Sequence, residues 1–437
     1  MKKYNSMYQE TFLLTPLKKL FLVFVYTIFI AFSAGFGLLR VIPYFKDLYW
    51  IDSLTIIITA VSALTWLLVF LNTKKLIYKF SNYLLFWVFL IFIFALSLYS
   101  KSIYSQGILE TIKVASYYFS ILFTIFVYFQ FPSPCRSFSV VKKALINVSI
   151  IDSIIALLSF ILIKNFGINI LNLSYSIRDG SPRFTIGTCI VLVSIFVSIV
   201  YSFKTKNLSL KDFINILLGF VHLIFIGKTR SLILYFALAL IFALAIFSNY
   251  KIKIFIATII VCLFLSYCFN FNEFSNFFIN YFLDDAGISI RFDAISFFMG
   301  NFNSSPIFGM GFISSKGDYS YLMSGVNGNY YYDDVGLVGL LAQFGICGFL
   351  WAIIILIKSF LVSHKSGTTP ALVLKIFVFY LFVSSINLSF MDPERLAYLF
   401  ILFVFDDFCL VTYKKSATFL FAISNRNKDK VIKFRLN

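Results

Sequence analysis

Histidine is almost absent from this 437-residue sequence: His222 lies inside an apolar run, and His364 in a connecting segment. The six cysteines are scattered, without a close CxxC pair. That scarcity argues against a disulfide framework, a thiolate metal site and a histidine metal centre, so no metal or other cofactor is expected. There is no glycine-rich loop ending in Lys-Ser/Thr, which argues against an ATP-driven pump. Charge is scarce too, at 13% of residues, where an ordinary soluble domain carries about 25%. What fills the chain instead is apolar: 60% of residues are hydrophobic, 20% are aromatic, and mean hydropathy is +0.91.

The apolar residues fall in runs of roughly 17 to 22, the length at which a helix crosses a bilayer. Lipid cannot satisfy free backbone amides, so such runs must be helical. Spans are expected near 20–39, 51–71, 83–99, 114–131, 144–163, 184–203, 213–227, 231–248, 252–270, 335–357, 371–390 and 396–412. The first run is too long for a signal peptide and lacks a small-residue cleavage site, so it reads as a retained helix. With the N-terminus inside, about two thirds of the 37 lysines and arginines fall in cytoplasmic segments, and most of the 19 acidic residues fall outside. Both termini are then cytoplasmic. The net charge of +18 is a topology signal that suits an anionic inner leaflet, and nucleic acid is not needed as a partner. The expected fold is an all-α polytopic membrane protein of about twelve transmembrane helices, GT-C-like in plan. It forms one membrane domain over 1–437, with a large periplasmic or extracellular loop at 271–334 containing short helices and a basic cytoplasmic tail at 413–437.

Four segments on the expected outer side carry chemistry. In Ser176–Gly187, Arg178 and Arg183 bracket a Gly-Ser-Pro turn; guanidinium groups suit phosphate oxygens, and arginines in a solvated loop near headgroups are the alternative, more so for Arg178 than for Arg183, which sits closer to the membrane. In Gly227-Lys-Thr-Arg-Ser231, Lys228 and Arg230 stand outside against the charge rule, and such cations commonly mark function or a lipid contact. Free amides at a helix start also favour an anion there. His222, about one and a half turns below, is either a supporting donor or a packed helix residue. In the long loop, Ile288, Phe292, Ile295 and Met299 recur at helical spacing, which predicts a short amphipathic helix at the interface carrying Arg291 and Asp293 away from its oily stripe. A surface Arg291–Asp293 pair is the alternative. Pro306-Ile-Phe-Gly-Met-Gly311 follows, a turn whose glycines allow close backbone approach. Finally, Tyr330, Tyr331, Tyr332, Asp333 and Asp334 precede a helix bearing Gln343, Gly345 and Gly348. One carboxylate caps this helix or acts as a general base with a raised pKa; which of the two does so stays open.

Together, the Thr-Arg-Ser turn at 229–231, Arg291 followed by Pro306–Gly311, and the polar start of the helix bearing Gly345-Ile-Cys-Gly348 resemble the bacterial O-antigen polymerase and ligase superfamily, with its Wzy-type polymerases. The resemblance covers about 178–350 in motif and the whole chain in topology. It implies a metal-independent glycosyltransferase-type enzyme of the bacterial cytoplasmic (inner) membrane. Such an enzyme joins oligosaccharide repeat units carried on undecaprenyl pyrophosphate into O-antigen, capsule or related polysaccharide, among membrane lipids and with a separate chain-length regulator. It further implies Arg291 with Asp334 or Asp333 as catalytic residues. Arg178, Arg183, Lys228 and Arg230 would bind pyrophosphate, and Tyr330, Tyr331 and Tyr332 would stack on sugars. Ligases of this superfamily usually carry a histidine where Asp334 stands, a departure that favours polymerase over ligase. A flippase or transporter is the rival class, disfavoured because the long loop is expected outside and the cations at helix ends.

Overall fold

The structure, a computed structural model, describes residues 16–32, 83–130, 137–169, 175–178, 181–184, 187–247, 286–314, 317–325, 328–365, 367–393 and 395–410. The helices are α1 (Pro16–Phe32), α2 (Tyr83–Ile103), α3 (Ile108–Gln130) and α4 (Phe138–Phe166). A β-hairpin follows, β1 (Ser176–Arg178) and β2 (Ser181–Arg183), and then α5 (Thr188–Thr205) and α6 (Leu210–Val221), the latter running into a π-helical turn at His222–Gly227. After α7 (Arg230–Phe247) and α8 (Ala286–Ser304) come the short α9 (Tyr321–Ser324), a 3-10 turn at Tyr332–Val335, α10 (Gly336–Lys365) and α11 (Thr369–Ser384). A last helix, α12, covers 397–410. The expected spans 51–71 and 252–270, the start of the long loop at 271–285 and the tail at 413–437 lie outside the described residues.

Six described helices are long and apolar enough to cross a membrane, and two shorter apolar ones cover Ser231–Ile246 and Thr369–Ser384. Outward-facing Leu84, Ile91 and Phe94 of α2 stay exposed, which suits contact with lipid tails and not water. At the centre, α5 is buried on every side from Ile190 to Val197, and α12 is buried from 401 to 409. Helix α5 packs against α4, α6 and α11, and α11 against α7 and α10. The chain is an all-α polytopic membrane protein.

Several polar groups within the bundle are paired across helices. Asn215 of α6 accepts from Ser194 and donates to Ser198 of α5, at 2.8 and 3.0 Å, the interhelical hydrogen bonding that replaces a hydrophobic drive in lipid. Ser359 of α10 donates to Asp406 of α12 at 2.8 Å. At one end of the bundle Lys142 pairs with Asp212 at 2.9 Å and lies over the Tyr201 ring. The Ser209 hydroxyl caps α6 by accepting from the Asp212 amide. The other end carries the β-hairpin, the 286–335 segment and the α11–α12 connection, and is called the hairpin end below.

Two expectations change. The helix opening near 335 was expected to be continuous, but α10 is broken at Gly345, whose φ is 62° and ψ −167°. Helix α8 forms, yet it is 19 residues long and is anchored through Ala294 and Phe298. Of the expected stripe, Ile295 packs against that cluster while Phe292 remains 67% exposed; the Ile288 side chain lies outside the described residues.

Candidate functional site

At the hairpin end, the Ser176–Gly187 segment is a hairpin in the register Ser176↔Arg183, Ile177↔Pro182 and Arg178↔Ser181. It is fastened to the π-helical turn: the Phe184 amide donates to the Ile226 carbonyl at 3.2 Å, and the Lys228 ammonium to the Ser181 hydroxyl. Arg183 clamps the turn through Nε to the Gly227 carbonyl and Nη2 to the Thr229 hydroxyl, both at 2.8 Å. The turn is tight because Lys228 takes a left-handed conformation, with φ of 45°, before Arg230 opens α7. Arg183, Lys228 and Thr229 are therefore brought together. The side chains of Arg178 and Arg230 lie outside the described residues. His222 is fully buried, with Nε2 3.5 Å from the Thr188 hydroxyl at the head of α5, a long distance for a hydrogen bond.

The second group forms where α10 begins. Asp333 and Asp334 sit in the 3-10 turn, not in the helix proper. Among the described residues the Asp334 side chain makes no capping bond, whereas its backbone amide bonds to the Tyr331 carbonyl at 3.2 Å. Arg395, from the α11–α12 connection, pairs with Asp392 at 2.9 Å. The same guanidinium donates to the carbonyls of Asp333 at 3.3 Å and Ser389 at 3.4 Å. Tyr118 of α3 lies within electrostatic reach of Tyr332, Asp333 and Asp392, and its hydroxyl donates to Gln343 of α10. Tyr330 and Tyr332 are engaged internally, against Phe297 at 5.4 Å and Phe298 at 6.4 Å.

Further along α10 the helix breaks at Gly345. With Gly345 out of helical conformation, the carbonyls of Ala342 and Gln343 accept from the amides of Met310 and Gly311, at 2.6 and 2.8 Å. In return the amides of Ile346 and Cys347 donate to the carbonyls of Pro306 and Ile307, at 2.8 and 3.3 Å. The Pro306–Gly311 loop thus satisfies the backbone groups that the break releases, as buried backbone requires. No side chain fits at the contact. A Cβ on Gly309 would lie 2.6 Å from the Ala342 carbonyl oxygen, and one on Gly345 would overlap the Ile307 carbonyl. On its far side the loop is held by Ser100, which accepts from the Phe312 amide at 2.8 Å, and by Gln106, which accepts from the Ser314 amide at 3.0 Å.

The two groups share one end of the bundle. Tyr398 of α12 lies within electrostatic reach of Cys189 on α5, and its hydroxyl lies 3.3 Å from that of Tyr380, which Arg395 reaches electrostatically. Cys189 follows Thr188, the neighbour of His222. Arg291 of α8 lies within electrostatic reach of Tyr235, just over a turn into α7. Among the described residues no ion pair joins it to Asp293. The arrangement is a set of cations and two carboxylates at one end of the bundle, around the heads of α5, α7 and α10.

Sequence reasoning missed Asp392, Arg395, Tyr118 and the loop anchors Ser100 and Gln106. A signal existed for the first two: Asp392-Pro-Glu-Arg395 is a charged interval between apolar runs. Tyr118 and Ser100 sit inside spans and carry no such mark.

Residues 213–355 match the family model described as O-antigen ligase. A comparison with curated proteins found no match. The matched stretch runs from α6 through the Gly227–Arg230 turn, α8 and the Pro306–Gly311 loop to Ile355 of α10, so it contains both partners of the interlock and leaves Arg183 and Arg395 outside. Within this membrane protein, residues 213–355 carry the domain of the O-antigen polymerase and ligase superfamily.

Proposed function

We propose that this protein polymerises oligosaccharide repeat units carried on undecaprenyl pyrophosphate, at the outer face of the bacterial cytoplasmic membrane. The observation that carries the reading is the interlock of Pro306–Gly311 with the broken α10. The Asp333–Asp334 turn leads into that same helix, at the same end of the bundle as Arg183, Lys228 and Arg291. In the reaction a hydroxyl of the incoming unit attacks the anomeric carbon of the growing chain. The new C–O bond forms as the bond from that carbon to the phosphate oxygen breaks, and lipid pyrophosphate departs with the electron pair. Asp334 takes the hydroxyl proton, which suits a carboxylate not engaged as a helix cap. Arg291, with the cations of the Arg183–Lys228 turn, offsets negative charge building on the departing phosphate, where prepositioned charge does most. The hairpin end then faces outward, and both termini are cytoplasmic.

The description of the matched family favours ligase as the second reading; the aspartate at 334, where ligases of the superfamily usually have histidine, favours polymerase. The deciding experiment is the surface polysaccharide ladder of a deletion strain complemented with wild type, Arg291→Glu or Asp334→Asn. A polymerase leaves a single-repeat band on the surface when it is lost, and neither variant rebuilds the ladder, Asp334→Asn costing on the order of 10²–10⁴ in rate. Loss of the single repeat as well would mean a ligase or flippase, and a normal ladder with Arg291→Glu would remove Arg291 from the site.

A further inference from the structure

Sugar stacking was expected of Tyr330, Tyr331 and Tyr332, but two of these rings are spent on packing. Tyr330 lies against Phe297, and Tyr332 meets Phe298 edge-on, both over the small core formed by Ala294, Phe298, Met310 and Val335. Only Tyr331 turns outward, at 59% exposed. Its neighbour Tyr330 is bonded through the backbone to Ser324 at the end of α9, and around α9 the fold gathers other tyrosines from segments far apart in sequence. Tyr319 and Tyr321, 39% and 42% exposed, flank the start of α9. The Tyr319 ring lies 5.1 Å from that of Tyr104 at the end of α2, and Tyr104 is in electrostatic reach of Tyr99, Tyr319 and Tyr321.

This face is linked to the carboxylate turn by hydrogen bonds. Asn301 of α8 donates to the Leu322 carbonyl at 3.2 Å, and the Tyr330 amide to the Ser324 carbonyl at 2.9 Å. One residue beyond Tyr330 is Tyr331, whose carbonyl accepts from the Asp334 amide. Gln106 ties the α2–α3 connection to the chain leading into the face. Burial, with the neighbouring phenols second, pushes the Tyr104 hydroxyl up to about 12, so it stays a neutral hydrogen-bond donor and acceptor.

We propose that Tyr104, Tyr319, Tyr321 and Tyr331 form a glycan-binding face that holds the saccharide chain beside the Asp333–Asp334 turn. The inference rests on the polymerase reading for its substrate, and its chemistry is that of sugars. Tyrosine offers a flat apolar ring to the C–H face of a pyranose and a hydroxyl to its rim, with few rotors to freeze. Cations lie on the hairpin and the α6–α7 turn and phenols on the α2–α3 connection and the chain around α9, all at the hairpin end, which suits a donor with a pyrophosphate at one end and a neutral chain at the other. The competing role for these residues is an aromatic belt at the headgroup level.

The test uses purified full-length protein in detergent, with lipid-free polysaccharide from the producing strain as the probe, beside the surface ladder of the same variants. Tyr331→Ala, which removes an outward ring without a packing partner, is expected to weaken polysaccharide binding at least threefold. Tyr319→Ala with Tyr321→Ala is expected to shift the ladder to chains about half as long, and the corresponding Phe pair to restore most of the length. Unchanged binding by Tyr331→Ala overturns the face, as does a normal ladder from the Ala pair. A Phe pair as poor as the Ala pair also overturns stacking. If the deletion strain keeps its ladder, the polymerase reading falls, while the binding measurement still judges the face on its own.

Discussion

Arg395 has three bonds to make and one geometry in which to make them. Its guanidinium pairs with Asp392 and reaches the carbonyls of Asp333 and Ser389. The Asp392 side chain is 2% exposed and the Arg395 side chain 17%, so solvent screens this pair little. Removing the arginine leaves a carboxylate buried without that counter-ion, a change that costs about 3–5 kcal/mol for fully buried pairs and somewhat less here. Arg395→Ala is therefore expected to lower the thermal unfolding temperature in detergent and also to shorten or abolish the ladder, because the Asp333 turn loses its brace. Arg395→Lys keeps the charge on Asp392 but not the fork that spans two carbonyls. It should recover most of the stability and less of the activity. A lysine variant with normal polymer output would mean that Arg395 supplies charge alone and does not position the turn.

At the scale of elements, the loop and the broken helix depend on each other. Helix α10 gives up its own hydrogen bonds around Gly345, and Pro306–Gly311 replaces them. The cost of a side chain falls at two positions, since Gly309 and Gly345 both have positive φ and backbone atoms where a Cβ would stand. Gly345→Ala is expected to destabilise the protein by about 2–4 kcal/mol, through strain and the forced withdrawal of the loop. The same loss should follow Gly309→Ala, and the double variant should cost less than the sum, because one contact is lost once. Additive losses in thermal unfolding would show that the two glycines act separately. Both halves of this interlock were legible in sequence as glycine motifs, but their pairing was not, since nothing local says that residues 306–311 and 342–347 meet. Span positions were legible for a simple reason, the length of apolar run a bilayer demands. The anchoring face of α8 was not. Beside a membrane an apolar stripe faces lipid as readily as protein, so periodicity fixes the helix but not which side, Phe292 or Phe298, is covered. The sequence placed a Gly-Ser-Pro turn between Arg178 and Arg183, but Ser181 and Pro182 lie in β2; the Asp179-Gly180 pair is the stronger signal for a two-residue hairpin connection.

Across the whole molecule the two ends of the bundle differ in chemistry. Lys142, Lys143, Lys204, Lys206 and Lys211 gather at the end opposite the hairpin, where Lys142 is paired with Asp212. The hairpin end holds arginines braced by carbonyls and carboxylates in turns. Positive-inside bias assigns the first end to the cytoplasm, and the proposed reaction needs the second end on the other side, where lipid-linked repeat units await polymerisation. These two arguments are independent, one from charge distribution and one from chemistry, and they make the same topological prediction. Asn303, at the end of α8, and Gly367, between α10 and α11, are both exposed and lie at opposite ends. In a background with the six native cysteines replaced, the Asn303→Cys variant should react with a membrane-impermeant maleimide in spheroplasts, and the Gly367→Cys variant only after lysis. The reverse pattern would put Asp334 and Arg291 in the cytoplasm, where the polymerase reading has no substrate and the charge bias no explanation. Labelling of both in spheroplasts would mean that the 30-residue α10 does not cross the bilayer, and the broken helix would then have to be read as a surface element.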